Sequence, residues 1–222
     1  MFVLSHRGYH LTVPANTYDA FEGAMHLGVD GIETDLQRSA DGHLILFHDR
    51  LTPDGRPTAS LSRADLSAVV GYPIPTLEEV LSQYRDVLWN IEIKTPAVLD
   101  QAVALFRLFG HTRRLLITSF WHTVIEHISQ QLDVDCGILV AHRPFVRARP
   151  PFGWWPPTGR VHTVVWAYPV VDAAIVAQTA RQGLRNFVYG AETEHDRVHC
   201  ATLQVDGVIT DHPEIWLRTR PG

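Results

Sequence analysis

Cysteine is scarce: Cys136 and Cys200 are the only two in 222 residues, far apart and without metal-ligand spacing. They offer no disulfide framework and no cysteine-based metal site, and read as reduced structural thiols. No apolar run approaches the roughly 20 residues that span a bilayer. The N-terminal MFVLSH is too short for a secretory h-region and passes straight into polar residues. The expectation is a cytoplasmic chain with no transmembrane segment. Positive charge is also in deficit: 19 Lys and Arg stand against 24 Asp and Glu, a net charge of -5. A nucleic-acid-binding domain is usually basic, so that class is set aside. No Pro/Gly/Ser linker, internal repeat or low-complexity tract divides the chain, and its 45% hydrophobic content can bury a sizeable core. Residues 1–222 are therefore read as a single domain. Oligomeric state is left open.

What is present is organised around GIETDLQRSADGHLILFHD, Gly31 to Asp49. Side chains on a strand repeat every second residue, so Glu33 and Asp35 point the same way. Asp41-Gly42 then breaks the run, and the apolar stretch Leu44 to Phe47 reads as a returning hairpin strand that stops at His48-Asp49. Such a return brings His48 level with Glu33 or Asp35. Taken alone, acidic residues at i and i+2 are common on solvated strand faces. The rest of the chain decides between that reading and a metal site with an acid or base beside it.

In chain order, a short strand near residues 2–5 ends in His6-Arg7-Gly8. Asn16 or Thr17 caps a helix that Gly28 stops, and the strand 31–36 follows, so the opening is a β-α-β unit with a parallel pair. Capping-box patterns at Ser62 to Asp65 and Thr76 to Glu79 predict two further helix starts. Strands are expected near 88–94, 115–118, 136–140, 163–167, 186–189 and 205–210, with helices from about Ala97 to Phe109, Thr123 to Gln131 and Asp172 to Gln182. Eight strands with intervening helices predict a closed α/β architecture, a (β/α)8 TIM-type barrel with an added β-hairpin after the second strand. His6, Arg7, Glu33, Asp35, Glu92, Lys94 and Asp211 all fall at or just past strand C-termini, the face where such barrels carry their sites.

These residues carry a resemblance. His6-Arg7-Gly8, Asn16-Thr17, Asp30 to Asp35, Phe47-His48-Asp49, Ile74 to Glu79, Asn90 to Lys94, Ser119-Phe120 and Asp206 to Asp211 occur in the order found in the glycerophosphodiester phosphodiesterase family, which the chain resembles from Ser5 to Pro213. The resemblance implies a (β/α)8 barrel and a divalent cation, Mg or Ca, on Glu33, Asp35 and Glu92. It also implies acid-base catalysis by His6 and His48 and a substrate phosphate held by Arg7 and Lys94. The chain departs from the family's pattern in three places. Ala15 stands where the family has Glu before Asn-Thr, Leu51 to Ala59 replaces a threonine- and glycine-rich motif, and Tyr189-Gly190 replaces Trp-Thr.

The residue types suit this chemistry on their own terms. A hard cation on oxygen ligands, with Arg7 and Lys94, would stabilise charge that gathers on the nonbridging phosphoryl oxygens. Two imidazoles would divide the proton transfers. The other eleven histidines, including His10, His122 and His212, are read as surface residues or residues behind the site. The implied activity is hydrolysis of a small-molecule glycerophosphodiester to glycerol phosphate and an alcohol. Two alternatives stay open: a lysophospholipase D-like activity, and a noncatalytic phosphodiester-binding protein prompted by the departures. From Cys136 to Val171 no acidic residue occurs, while Arg143, Arg147, Arg149 and Arg160 accompany Phe152, Trp154 and Trp155. That stretch, residues 143–158 in particular, reads either as a basic aromatic flap over the mouth, with peripheral membrane contact as one use, or as an irregular loop that caps the barrel.

Overall fold

The structure, a computed structural model, describes residues 1–143 and 160–218. Arg147, Arg149, Phe152, Trp154 and Trp155, the heart of the expected flap, lie outside the described residues. The strands are β1 (Phe2–His6), β2 (Gly31–Arg38), β3 (Leu44–Leu46), β4 (Leu88–Ile93), β5 (Arg114–Ser119), β6 (Asp135–Val140), β7 (Val161–Ala167), β8 (Arg185–Tyr189) and β9 (Gly207–Thr210). The helices are α1 (Tyr18–Leu27), α2 (Arg63–Val70), α3 (Leu77–Gln83), α4 (Leu99–Phe109), α5 (His122–Gln131), α6 (Ala173–Ala180), α7 (Glu194–Leu203) and α8 (Pro213–Leu217). Eight strands pair in parallel in the order β1-β9-β8-β7-β6-β5-β4-β2, and a β1–β2 pairing closes the ring. β3 lies outside it, antiparallel to β2. The chain is therefore a closed (β/α)8 barrel with one added hairpin strand.

Period-two alternation divides each ring strand between two environments. On β4, Trp89, Ile91 and Ile93 are buried in the large apolar layer shared with the helices, where Phe21 and Phe106 also sit. Facing inward, Leu4, Leu116, Leu139, Val165, Phe187 and Ile209 fill the barrel. Phe187 fits because β9 opens with glycine: a Cβ at Gly207 would lie 2.7 Å from the Phe187 ring. α1 starts where Thr17 accepts the Ala20 amide and stops where Gly28 takes a left-handed φ of 78°. Thr17, and not Asn16, is the cap. Two helices without an expectation from sequence are α7 and α8. α7 is announced by Thr193 and Asp196, which cap each other reciprocally.

The capping box at Thr76 does more than start α3. Glu79 accepts the Thr76 amide at 2.8 Å, the Tyr18 hydroxyl at 2.8 Å and both Arg63 guanidinium nitrogens at 2.9 and 2.7 Å, tying together the first turns of α1, α2 and α3. Burial pushes the Glu79 carboxyl upward, but Arg63, the Thr76 amide and Tyr18 outweigh it and hold it at about 2. A folded-state value below the unfolded one means that the charged form stabilises the fold above about pH 4.5, and that the contribution is lost as pH falls from there toward about 2. Glu79→Gln is expected to lower Tm at pH 7 by about 2–4 °C, the shift from losing roughly 1 kcal/mol in a domain of this size. Thermal melts of parent and variant should converge near pH 2. A gap independent of pH would show that the charge contributes nothing.

Candidate active site

Register alone gathers the site. His6 on β1 pairs with Glu33 on β2, Glu33 pairs with Asn90 on β4, and Asp35 pairs with Glu92 on β4. Lys94 follows β4 directly, its amide bonded to Leu36 O. On the hairpin side Leu36 faces Leu46 and the Phe47 amide bonds Asp35 O at 3.0 Å, so His48 arrives level with Thr34, between the two carboxylates. Gln37, two positions beyond Asp35 and buried, donates its amide to Phe47 O at 2.7 Å, with the His48 and Asp49 carbonyls at 3.0 and 3.1 Å. The segment carrying His48 is thereby tied to β2.

The mouth of the barrel holds a cavity of about 260 Å³. His6, Arg7, Glu33, His48, Glu92 and Lys94 line it together with Phe120, Leu139, Tyr189 and Ile209. Asp35 is buried beside it. Its Oδ1 is 3.2 Å from Lys94 Nζ and its Oδ2 is 3.2 Å from Arg7 Nε. Lys94, the only lysine in the chain, also contacts Glu92 Oε1 at 3.0 Å.

The backbone that delivers Arg7 is unusual. Arg7 has φ 57° and Gly8 φ 78°, and a Cβ on Gly8 would lie 2.6 Å from the Ala20 carbonyl carbon. Only glycine allows α1 to approach this closely. Asn16 also sits at a positive φ, 58°, a conformation asparagine tolerates better than most residues. Its amide donates to Asp35 Oδ2 at 2.9 Å while its carbonyl oxygen accepts from Thr34 Oγ1 at 2.7 Å. It orients Asp35, a role that sequence reading, which saw a cap, did not find.

Glu33, Asp35 and Glu92 offer oxygen atoms that all lie within 4.8 Å of one another. Burial, followed by repulsion from Asp35 and Glu92, pushes the Glu33 carboxyl well above the usual range. Burial also pulls Asp35 upward, yet Lys94, Arg7, His48 and the Asn16 amide outweigh it and hold the carboxyl low. Glu92 is raised by burial against the opposing pull of Lys94. Lys94 is raised because Asp35 and Glu92 outweigh its own burial. Burial lowers His48, with Asp35 pulling the other way. Glu33 Oε2 and Asn90 Nδ2 are buried with no hydrogen-bond partner among the described residues. An acceptor without a hydrogen bond inside a cluster of hard oxygen donors is what a divalent cation would complete.

Each imidazole has a carboxylate behind it. His6 Nδ1 is 2.7 Å from Asp211 Oδ1, and His48 Nδ1 is 2.7 Å from Asp49 Oδ1. Glu192, from the loop after β8, accepts Thr210 Oγ1 at 2.6 Å and the Asp211 amide at 2.8 Å. No motif signals Glu192.

A model of the glycerophosphoryl diester phosphodiesterase family matches residues 6–215. A glycerophosphodiester phosphodiesterase of Bacillus subtilis is 31% identical over 261 residues, covering 100% of this chain and 87% of that protein. One from Caldanaerobacter subterraneus subsp. tengcongensis is 29% identical over 240 residues, covering 96% of this chain and 94% of its own. In structure, a phosphodiesterase of Oleispira antarctica in complex with the product sn-glycerol-3-phosphate superposes with a TM-score of 0.79 at 21% identity, covering 99% of this chain and 96% of that one. That likeness concerns the barrel.

Proposed function

The chain belongs to the glycerophosphoryl diester phosphodiesterase family, and we propose that this enzyme hydrolyses glycerophosphodiesters to glycerol phosphate and an alcohol, with His6 and His48 transferring protons. The observation that carries the reading is the convergence of both imidazoles, Arg7, Lys94, Glu33 and Glu92 on one cavity, with Asp35 packed beside it. Glu33, Asp35 and Glu92 would hold a divalent cation, Mg or Ca, which when bound supplies positive charge to a phosphoryl oxygen. Three carboxylates against Arg7 and Lys94 leave one net negative charge, and a divalent ion turns this into one net positive charge, matched to a monoanionic diester. Arg7 and Lys94 bind the phosphate and stay charged through the reaction.

The glycerol moiety carries a hydroxyl next to the esterified one. One histidine takes its proton as that oxygen attacks phosphorus, and the other protonates the departing alcohol, leaving a cyclic phosphate. Water then opens the ring with the roles reversed. Metal-loaded protein assayed against a panel of glycerophosphodiesters, with and without chelation, tests the proposal. Binding without turnover of any diester would favour the noncatalytic reading.

A lysophospholipid is the second reading, favoured by one observation. Phe120 and Trp121, directly after β5, are 43% and 52% exposed, and Phe120 lines the cavity edge-on to Tyr189 at 6.3 Å between ring centroids. An exposed aromatic ring at the cavity offers contact area to an apolar alcohol. Phe120→Ala is expected to raise KM for an acyl-bearing diester by about tenfold, the value of burying part of an aromatic side chain, and to leave glycerophosphoglycerol nearly unchanged. Equal effects on both substrates would remove the lysophospholipase reading.

A further inference from the structure

We propose that Asp211 is the positioning residue of His6, holding the ring so that Nε2 addresses the substrate. The inference rests on the reading that His6 moves a proton in diester hydrolysis.

Asp211 and His6 are 205 residues apart, and ring closure brings them together. β1 and β9 are neighbours with Leu4 facing Ile209 and Ser5 facing Thr210, so the next residue on each strand falls side by side. The His6 Nδ1 to Asp211 Oδ1 distance of 2.7 Å is that of a charge-assisted hydrogen bond. A carboxylate only accepts, so the proton lies on Nδ1. The neutral ring then presents Nε2 without a hydrogen. Nε2 is 3.8 Å from Glu33 Oε2, so it faces the carboxylate cluster and the cavity that His6 lines.

The carboxylate is itself held. Its backbone amide donates to Glu192 Oε2 at 2.8 Å, and the same oxygen accepts the Thr210 hydroxyl at 2.6 Å, which fixes the end of β9. His10 approaches from the other side, with Nε2 3.6 Å from Asp211 Oδ1, Nδ1 donating to Gly8 O at 3.0 Å, and its ring 6.4 Å from that of His6 at 72°. Burial pulls the Asp211 carboxyl up, but the bond from His6 and the nearby charge of Arg7 work against it, and the carboxyl stays below the usual range, in the accepting form. His6 thus stands in a frame of Asp211, Glu192 and His10. A residue so held pre-pays the orientation that proton transfer demands.

The rival account makes Asp211 a strap that only ties β9 to β1. Asp211→Asn, Asp211→Ala and Asp211→Glu in the full-length, cation-loaded protein separate the two. If Asp211 positions His6, Asn and Ala lower kcat by about 10²-fold or more. KM for a glycerophosphodiester and calorimetric affinity for the cation should stay within about threefold, because neither phosphate nor cation is held by Asp211. Glu should restore part of kcat, and added formate should restore part of it to the Ala variant by supplying a carboxylate in the vacated space. A strap would instead lower Tm with kcat intact, and retention of kcat within threefold in the Ala variant overturns the proposal. So does a loss carried mainly by KM or cation affinity, or one that neither Glu nor formate relieves. Failure of the enzymatic reading itself is told apart by ¹⁵N-histidine spectra of the cation-loaded protein without substrate, the His6 signals assigned with His6→Gln. The proposal requires an Nδ1–H ring in the parent that is lost in the Ala variant, and an unchanged tautomer overturns it whatever the turnover.

Discussion

Asp35→Asn is expected to abolish hydrolysis of glycerophosphodiesters and leave the barrel folded. Asp35 is buried, with Lys94 Nζ and Arg7 Nε each 3.2 Å away and the Asn16 amide at 2.9 Å. An asparagine fills the same space, and its carbonyl oxygen still accepts from Asn16. What disappears is the charge. Arg7 and Lys94 then lose the carboxylate they share, and the cluster keeps only Glu33 and Glu92, whose carboxyls burial already pushes toward the protonated form. Both the proposed cation and the placement of the two basic groups depend on that one negative charge. Losing several kcal/mol of charge stabilisation at the phosphoryl group corresponds to about 10³-fold or more in rate. The barrel should persist because its strand pairings and apolar layers do not involve this carboxylate. The check is a turnover assay run beside calorimetric titration with Mg and Ca and a circular dichroism melt. Turnover that survived both the substitution and exhaustive chelation would remove the metal assignment.

Local signals in the sequence were sufficient where a few adjacent residues determine the geometry. Thr17 with Gly28, and Thr76 with Glu79, mark helix ends through hydrogen bonds made within four residues, and they sit where the pattern put them. Glu33 and Asp35 share a face because strand side chains repeat every second residue, and the ring's register sets Glu92 beside Asp35. Other features depend on contacts that no local pattern encodes. The Asp211 to His6 bond exists only once β9 closes on β1. Asn16 reads as a candidate helix cap from sequence, but it takes a left-handed conformation of its own, φ 58°, and its amide instead donates to Asp35. Gln37 and Glu192 lie outside any motif, yet they hold the segments that deliver His48 and Asp211. The gathered residues are thus legible one by one, whereas the groups that orient them emerge from tertiary closure.

The second large effect is expected at the two histidines. His6→Ala and His48→Ala should each lower kcat by about 10²-fold or more while cation binding persists. His6 ends β1 inside the ring, and His48 follows the outer strand β3, so the two rings reach the cavity from different parts of the chain. Each has Nδ1 engaged by a carboxylate, Asp211 for His6 and Asp49 for His48, which leaves Nε2 as the nitrogen available to substrate in both. Matched tautomers suit a reaction in which the two must exchange roles between formation and opening of a cyclic phosphate. The variants divide those roles experimentally. A nitrophenyl ester departs with little need of a proton, so it should restore rate to the variant that lacks the general acid and leave the other impaired. The bell-shaped pH dependence of the parent should likewise lose one limb in each variant, because each removes one of the two titrating groups. The measurements are kcat on natural and activated diesters across pH, with calorimetry for the cation. Near-parental rates on the natural diester in both variants would overturn the acid-base assignment, and the phosphodiester-binding reading would then account better for a cavity built of these charges.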